Sequence, residues 1–383
     1  MGQATQQPDT DLPFDAERGG MVGPVARGQV DRERRRGRGA LSNTSGRFEQ
    51  LAKTDLDDGW GGLEALAPFK TEIIEERAKK IITRNQSPDI MFDRSINPYQ
   101  GCEHGCAYCF ARPTHAYWGL SPGLDFESKL FAKSNAAELL EKELADSKYK
   151  PGVIAIGTNT DPYQPIERQH RIMRRILEVL ERTSHPVGIV TKSALIVRDL
   201  DLLSSMAERG LVKVALSVTS LDHKLSRAME PRAATPQRRL DAIRLLAAAG
   251  VPTSVMVAPV IPALNDHEIE TILMNAAAMG AREASYIMLR LPLEVSPLFR
   301  EWIEQHAPDR AARVLSILRD MRGGKDYDAK WGERMRGSGP YAWTVGRRFE
   351  IAAKRFGLNK RRYDMRTDLF TPPKRAGDQL TLF

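Results

Sequence analysis

All three cysteines of this 383-residue chain, Cys102, Cys106 and Cys109, lie in the stretch 96–113, which reads INPYQGCEHGCAYCFARP. Their spacing is C-x3-C-x2-C, and no further cysteine completes a set. Thiols gathered so tightly read as metal ligands rather than as a disulfide framework. A cubane iron–sulfur cluster ordinarily takes one thiolate per iron. The three thiols here would leave one iron of a [4Fe–4S] cluster free of protein, and an open coordination position is where metal chemistry takes place. A Cys3His zinc site completed by His104 or His115 is the alternative, though zinc knuckles usually draw on a distant second pair of cysteines, absent here. Loop or packing roles are the plainer reading of both histidines.

The segments around this loop alternate in a regular way. Apolar β runs fall at 153–156, 187–191, 212–218, 253–260 and 284–289, and a strand near 91–96 feeds the cysteine loop. Helical spacing of apolar residues falls between them at 135–146, 168–183, 198–209, 236–249 and 266–279, and again at 295–321 with a break near Pro308. Thr235 before Pro236 opens one of these helices, and Gly210, Gly250 and Gly280 close others. Six β/α units with short connections predict parallel strands wrapped by helices. Ligand sites of such folds gather at the C-terminal ends of the strands, which is where the cysteine loop falls. Residues 69–93 read equally as a short helix or an edge strand.

The loop resembles that of the radical S-adenosylmethionine (SAM) superfamily. INPYQGC, YCFARPTH and the downstream GTNTDPYQPIE look most like the branch that includes spore photoproduct lyase, over roughly 92–292. The resemblance implies a partial (β/α)6 barrel, a [4Fe–4S] cluster whose free iron chelates SAM, and reductive cleavage of SAM to a 5′-deoxyadenosyl radical. Tyr108 matches the family's aromatic position before the third cysteine. The loop Gly157, Thr158, Asn159, Thr160, Asp161 corresponds to the one that receives the SAM amino group, with Asp161 as the ammonium partner. The alternative for Asp161-Pro162 is an Asx turn that serves only the loop, but the ligand reading is preferred because the loop falls where the site should be. Ser217 stands where the family makes a ribose contact. By position in the pattern, Glu230 is a ribose acceptor, Arg232 a partner for the SAM carboxylate, and Ile261 part of an apolar loop beside the adenine. Lys192 and Arg290, after the third and sixth strands, face the same cavity. Relatives of spore photoproduct lyase return a hydrogen atom through a further cysteine, which this chain lacks; Tyr99, Tyr163 and Tyr286 are the substitutes by position.

Charge and the ends complete the reading. The net charge is +8. Residues 319–375 hold 16 Lys and Arg against seven Asp and Glu, so this segment alone accounts for the basic excess. Basic residues interleaved with aromatics fit either a nucleic-acid partner, DNA favoured, or a cap with a basic outer face. Four parts follow: a disordered arm over 1–67 with a basic block at 32–38, the barrel over 68–322, a basic aromatic-rich cap over 323–370, and a tail over 371–383. Its last residues, QLTLF, resemble the clamp-binding peptide of bacterial replication and repair proteins, with Gln379, Leu380, Leu382 and Phe383 as contacts. No apolar run is long enough to span a membrane and no secretory leader is legible, so a reducing cytoplasm is expected. The functional expectation is a radical SAM enzyme, served by an electron donor, that processes DNA lesions in a lyase-like way. The alternatives are a radical SAM enzyme modifying a protein or small molecule, and a non-catalytic zinc-stabilised nucleic-acid-binding module.

Overall fold

A computed structural model describes residue 30 and residues 33–49 and 68–374. Six parallel strands form one sheet in sequence order: β1 (Arg94–Ile96), β2 (Ile154–Ile156), β3 (Val187–Thr191), β4 (Val212–Ser217), β5 (Thr253–Val260) and β6 (Glu283–Met288). The strand Ile82–Arg84 pairs antiparallel with β1 and forms the far edge. Runs such as VALS and TSVMVAPV are apolar at nearly every position because the central strands are covered on both faces.

Helices wrap the outside: α1 (Ala136–Leu144), α2 (Ile172–Arg182), α3 (Leu200–Glu208), α4 (Pro236–Ala248), α5 (Ile269–Ala278), α6 (Val295–His306) and α7 (Pro308–Asp320). On α2, residues Ile172, Met173, Ile176, Leu177 and Leu180 are buried, the stripe expected of an amphipathic helix on a sheet. The Thr235 hydroxyl caps α4 by accepting from the Arg238 amide. This is the expected partial (β/α)6 barrel, an open arc rather than a closed ring. None of the helices is long and apolar enough to cross a membrane among the described residues.

The segment before β1 forms strands, not a helix. Glu72–Glu75 pairs with Lys129–Ala132, which also takes up Tyr99–Gln100, giving a small second sheet beside the cysteine loop. The described part of the N-terminal arm, residues 33–49, is seated on the barrel with Arg38, Ala40, Leu41 and Ser42 buried. Arg38 of the basic block turns inward and donates to the Glu127 and Phe69 carbonyls at 2.5 and 2.8 Å. It is therefore committed within the fold and closed to phosphates. Trp60, whose place near the end of the arm suits it to pin the arm to the domain, lies outside the described residues.

Past α7 the chain does three things. Residues 331–335 come beside the C-terminal end of β6, where the Met288 amide donates to the Met335 carbonyl at 2.9 Å. Helix α8 (Gly339–Arg355) packs on α5, with Arg348 bridging Glu270 at 2.7 Å and Phe349 against Tyr286 at 4.7 Å between ring centroids. The chain then runs beneath the barrel across the N-terminal ends of the strands. Asn359 bonds Arg282 and Ala284, the Arg366 amide donates to Gly210, the Thr371 amide donates to Thr183, and Phe370 meets His185 edge-on at 5.3 Å.

Asn359 is the joint of that undercrossing. Its side-chain amide both accepts from the Ala284 amide at 2.8 Å and donates to the Ala284 carbonyl at 3.0 Å, with φ at 59°. Replacement by Ala loses both bonds and places a Cβ-bearing residue without local compensation in the left-handed region. The expected cost of Asn359→Ala is roughly 2–4 kcal/mol in chemical denaturation. Asn359→Gly should be about 1 kcal/mol milder, because it relieves the backbone part alone.

Candidate active site

The loop after β1 makes two turn bonds of its own, from the Gly105 amide to the Cys102 carbonyl at 3.3 Å and from the Cys109 amide to the Cys106 carbonyl at 3.2 Å, and is tied to its neighbours besides. The Cys102 amide donates to the Phe126 carbonyl at 2.9 Å and the Ala107 amide to the Met229 carbonyl at 3.0 Å. Beneath it lies Arg112, wholly buried: its Nε donates to the Cys106 carbonyl at 2.9 Å, Nη1 to the Pro122 and Gly123 carbonyls at 3.0 and 2.9 Å, and Nη2 to Glu127 at 2.5 Å. Glu127 in turn accepts from the Gly39 and Ala40 amides, both at 2.8 Å. Gly39 is required there, since a Cβ on it would fall 1.8 Å from the Gly105 carbonyl oxygen.

Three further clamps hold the loop. Gln164, from the segment after β2, accepts from the Glu103 amide at 2.9 Å and donates to the Gly101 carbonyl at 3.2 Å. Arg232 pairs with Glu103 at 2.7 Å. Glu230 accepts from the Tyr108 hydroxyl and from Thr219 Oγ1 (2.7 Å), and pairs with the buried Arg239. Burial works to raise the Glu230 carboxyl, but Arg239 and Lys192 outweigh it and hold the group below its ordinary range.

The three thiols are unpaired and line one end of a cavity of about 600 Å3. Burial pushes Cys102 well above the ordinary thiol range and Cys106 up to about 12, the latter against the pull of Lys192. Proton loss from these thiols thus needs a strongly electrophilic partner such as a metal. No three His, Cys, Asp or Glu side chains among the described residues are grouped to hold a single ion. The soft donor set of three thiols with no histidine or carboxylate grouped among them fits an iron–sulfur cluster better than one zinc ion. His104 lies 3.4 Å from Asp161, and His115 faces the Lys129 carbonyl at 3.0 Å between Phe126 and Phe131. His115 lies outside the cavity, whereas His104 lines it beside the cysteines.

Of the residues singled out from sequence, Tyr108, Gly157, Thr158, Asn159, Asp161 and Ser217 line this cavity with the cysteines. Gly157 admits no side chain: a Cβ would sit 2.0 Å from the Val190 carbonyl oxygen. Asp161 faces the cavity but its carboxylate is already occupied. It accepts from Thr191 Oγ1 and the Lys192 amide, both at 2.7 Å, and from the Tyr163 amide at 2.9 Å in an Asx turn. Burial alone would raise it; His104 and these donors prevail and hold it at about 2. Its geometry is that of a loop fastener more than of a free ammonium partner.

Glu230, Arg232 and Ile261 do not line the cavity. The first two are spent on Arg239 and Glu103, and Ile261 packs behind the loop in the cluster with Cys106 and Tyr108. Met256, Ala258 and Pro259 supply the β5 wall instead. Tyr99, Tyr163 and Tyr286 are buried away from the cavity, the first two bonded to Glu167 and Asp199. Sequence reasoning missed Arg112, Glu127 and Gln164, whose polar side chains give no periodic signal. Asn97, at the end of β1, was also missed; it lines the cavity and its Oδ1 is buried without a partner. Lys192 lines the cavity with its ammonium 5.9 Å from the Tyr108 ring centre.

Residues 96–275 match the family model of the radical SAM superfamily. An uncharacterised protein of Mycobacterium tuberculosis (strain H37Rv) is 38% identical over 230 residues, 60% of this chain and 68% of that one. An uncharacterised protein of Methanocaldococcus jannaschii is 29% identical over 245 residues, 63% of this chain and 85% of that one. The solved structure of spore photoproduct lyase complexed with dinucleoside spore photoproduct aligns with a TM-score of 0.53 at 16% identity, over 75% of this chain and 80% of that one; it shares the fold.

Two outcomes follow from the clamps. Glu127→Gln leaves Arg112 buried against a neutral partner and should cost roughly 3–5 kcal/mol, with iron content after anaerobic reconstitution falling below that of the native chain. Asp161→Asn should lower the melting temperature of the metal-free protein at pH 7. Because the folded carboxyl sits at about 2, below the ordinary aspartate range, that stabilisation is complete above pH ~4 and fades as pH falls toward ~2. The gap between the two proteins should therefore narrow in melts run toward acid pH.

Proposed function

Because the chain belongs to the radical SAM superfamily, whose cofactors are a [4Fe–4S] cluster and SAM, we propose that Cys102, Cys106 and Cys109 hold the cluster and that the enzyme acts on nucleic acid, DNA favoured, in lyase-like lesion processing. The observation that carries this reading is the convergence of the three thiols with Thr158, Asn159, Ser217 and Lys192 on one cavity at the C-terminal ends of the strands. When bound, the cluster supplies the electron that cleaves SAM to a 5′-deoxyadenosyl radical.

The chain's own residues do the positioning. Gly157 lets a ligand approach backbone, while Thr158, Asn159 and Ser217 offer uncharged polar groups. Asn97 Oδ1 is an acceptor awaiting a donor. Lys192 is the ammonium suited to the SAM carboxylate, a role Arg232 gives up by pairing with Glu103. Glu230 and Arg239 lock Tyr108 under Lys192. Met256, Pro259, Ile287 and Met288 keep water from the reacting centre.

The substrate class rests on the shared fold with a lyase whose structure holds a dinucleoside photoproduct, on the basic residues of 319–375, and on the QLTLF tail. That tail, with Gln379, Leu380, Leu382 and Phe383, lies outside the described residues; we keep it as a sliding-clamp contact. This chain has three cysteines, all in the loop, so hydrogen return proceeds without a fourth. A separate electron donor is required, and a reducing cytoplasm suits the cluster.

The test is anaerobic iron and sulfide analysis, then dithionite and SAM, with 5′-deoxyadenosine as the readout. About four irons per chain, and 5′-deoxyadenosine lost in Cys106→Ala, support the reading. Stoichiometric zinc without SAM cleavage leaves a nucleic-acid-binding module instead. Ultraviolet-damaged DNA that stays unchanged while a protein or small-molecule substrate is turned over sinks the substrate assignment alone.

A further inference from the structure

Arg290, just past β6, lines the cavity wall. Its guanidinium carbon lies 5.0 Å from the Phe110 ring centre and 5.8 Å from that of Tyr327. Nη2 donates to the Tyr327 hydroxyl at 3.3 Å, and Nη1 has only the Met335 sulfur at 3.4 Å. Nε is buried with no partner at all. Among the described residues no carboxylate pairs with it. The neighbouring Arg334, by contrast, is committed to Asp89 at 2.5 Å and Ser87 at 2.6 Å. A partly buried guanidinium with an idle Nε and no counter-ion is costly to maintain. Phe110 and Tyr327 flank the guanidinium, a setting that suits the binding of an oxyanion.

The surroundings choose among oxyanions. Phe110 is 43% exposed beside the guanidinium, and Trp331, 54% exposed, lies 4.1 Å from the Arg334 guanidinium. Cations alternating with open aromatic faces are what a single nucleotide strand uses, phosphate on the cation and base on the ring. We propose that Arg290 grips a phosphodiester of the substrate strand while the adjoining base rests on Phe110. This rests on the nucleic-acid reading above and names the anchor that the reading lacks. Lys192, on the cysteine side, remains for the cofactor, so the cavity offers one cation to each of two anions.

The experiment is fluorescence anisotropy with a labelled short single-stranded oligodeoxynucleotide over a range of salt, using full-length cluster-loaded protein. Arg290→Gln should weaken binding about tenfold and lower the slope of log affinity against log salt by roughly 0.7, the share of one phosphate contact. Arg290→Lys should recover the slope but not the full affinity. Phe110→Ala should weaken binding roughly tenfold with the slope unchanged. An unchanged melting temperature and iron content show that each variant is folded. Native protein that binds the oligonucleotide no better than Arg290→Gln, with equal slopes, overturns the anchor and leaves the nucleic-acid reading standing. Native protein that binds inorganic phosphate in an Arg290-dependent way but no oligonucleotide overturns both.

Discussion

The buried pair of Arg112 and Glu127 is the constraint on which the candidate site depends. Two opposite charges wholly removed from water are tolerable only if nearly every donor and acceptor is met. Here the meeting is thorough: Arg112 reaches the Cys106, Pro122 and Gly123 carbonyls, and Glu127 takes the Gly39 and Ala40 amides. Those partners belong to three separate stretches of chain. The pair therefore fixes the cysteine loop, the turn that follows it and the N-terminal segment as one unit, and the loop's thiols inherit their positions from it.

The same economy governs the next layer. Charged side chains near the loop are mostly engaged with one another, as in Glu103 with Arg232 and Glu230 with Arg239, while Asp161 is met by Thr191, the Lys192 amide and His104. Lys192 and Arg290 stand out because no carboxylate neutralises them through an ion pair among the described residues. In a cavity lined by apolar Ile, Phe and Met side chains together with uncharged Asn, Ser and Thr, two such cations set its chemical preference.

What could be read from the sequence follows from which signals are local. The strands β3 and β5 and the turn Thr235-Pro236 were legible because apolar runs, caps and helix-ending glycines act over a few residues. The cysteine spacing was legible because ligand loops are themselves local. Glu230, Arg232 and Ile261 were placed in the right loops, yet the choice between facing a ligand and facing Arg239, Glu103 or the core is made by distant residues. Arg38 shows the same limit: it shares the block 32–38 with five other charged residues, and only the fold brings the Glu127 and Phe69 carbonyls within its reach. Residues 359–371 carry no periodic pattern because they run extended under the strands, bonded at intervals to turns far apart in sequence.

That undercrossing has a bearing on solution behaviour. An open arc of strands presents two free borders, and bare borders invite pairing with another molecule. On β6, the backbone groups of Arg282, Ala284 and Met288 are already engaged by Asn359 and Met335. At the opposite border, Ile82–Arg84 is a three-residue strand with Thr83 and Arg84 turned to solvent. Among the described residues, the incomplete barrel thus leaves neither border of its main sheet as a long, vacant ladder for another strand to extend.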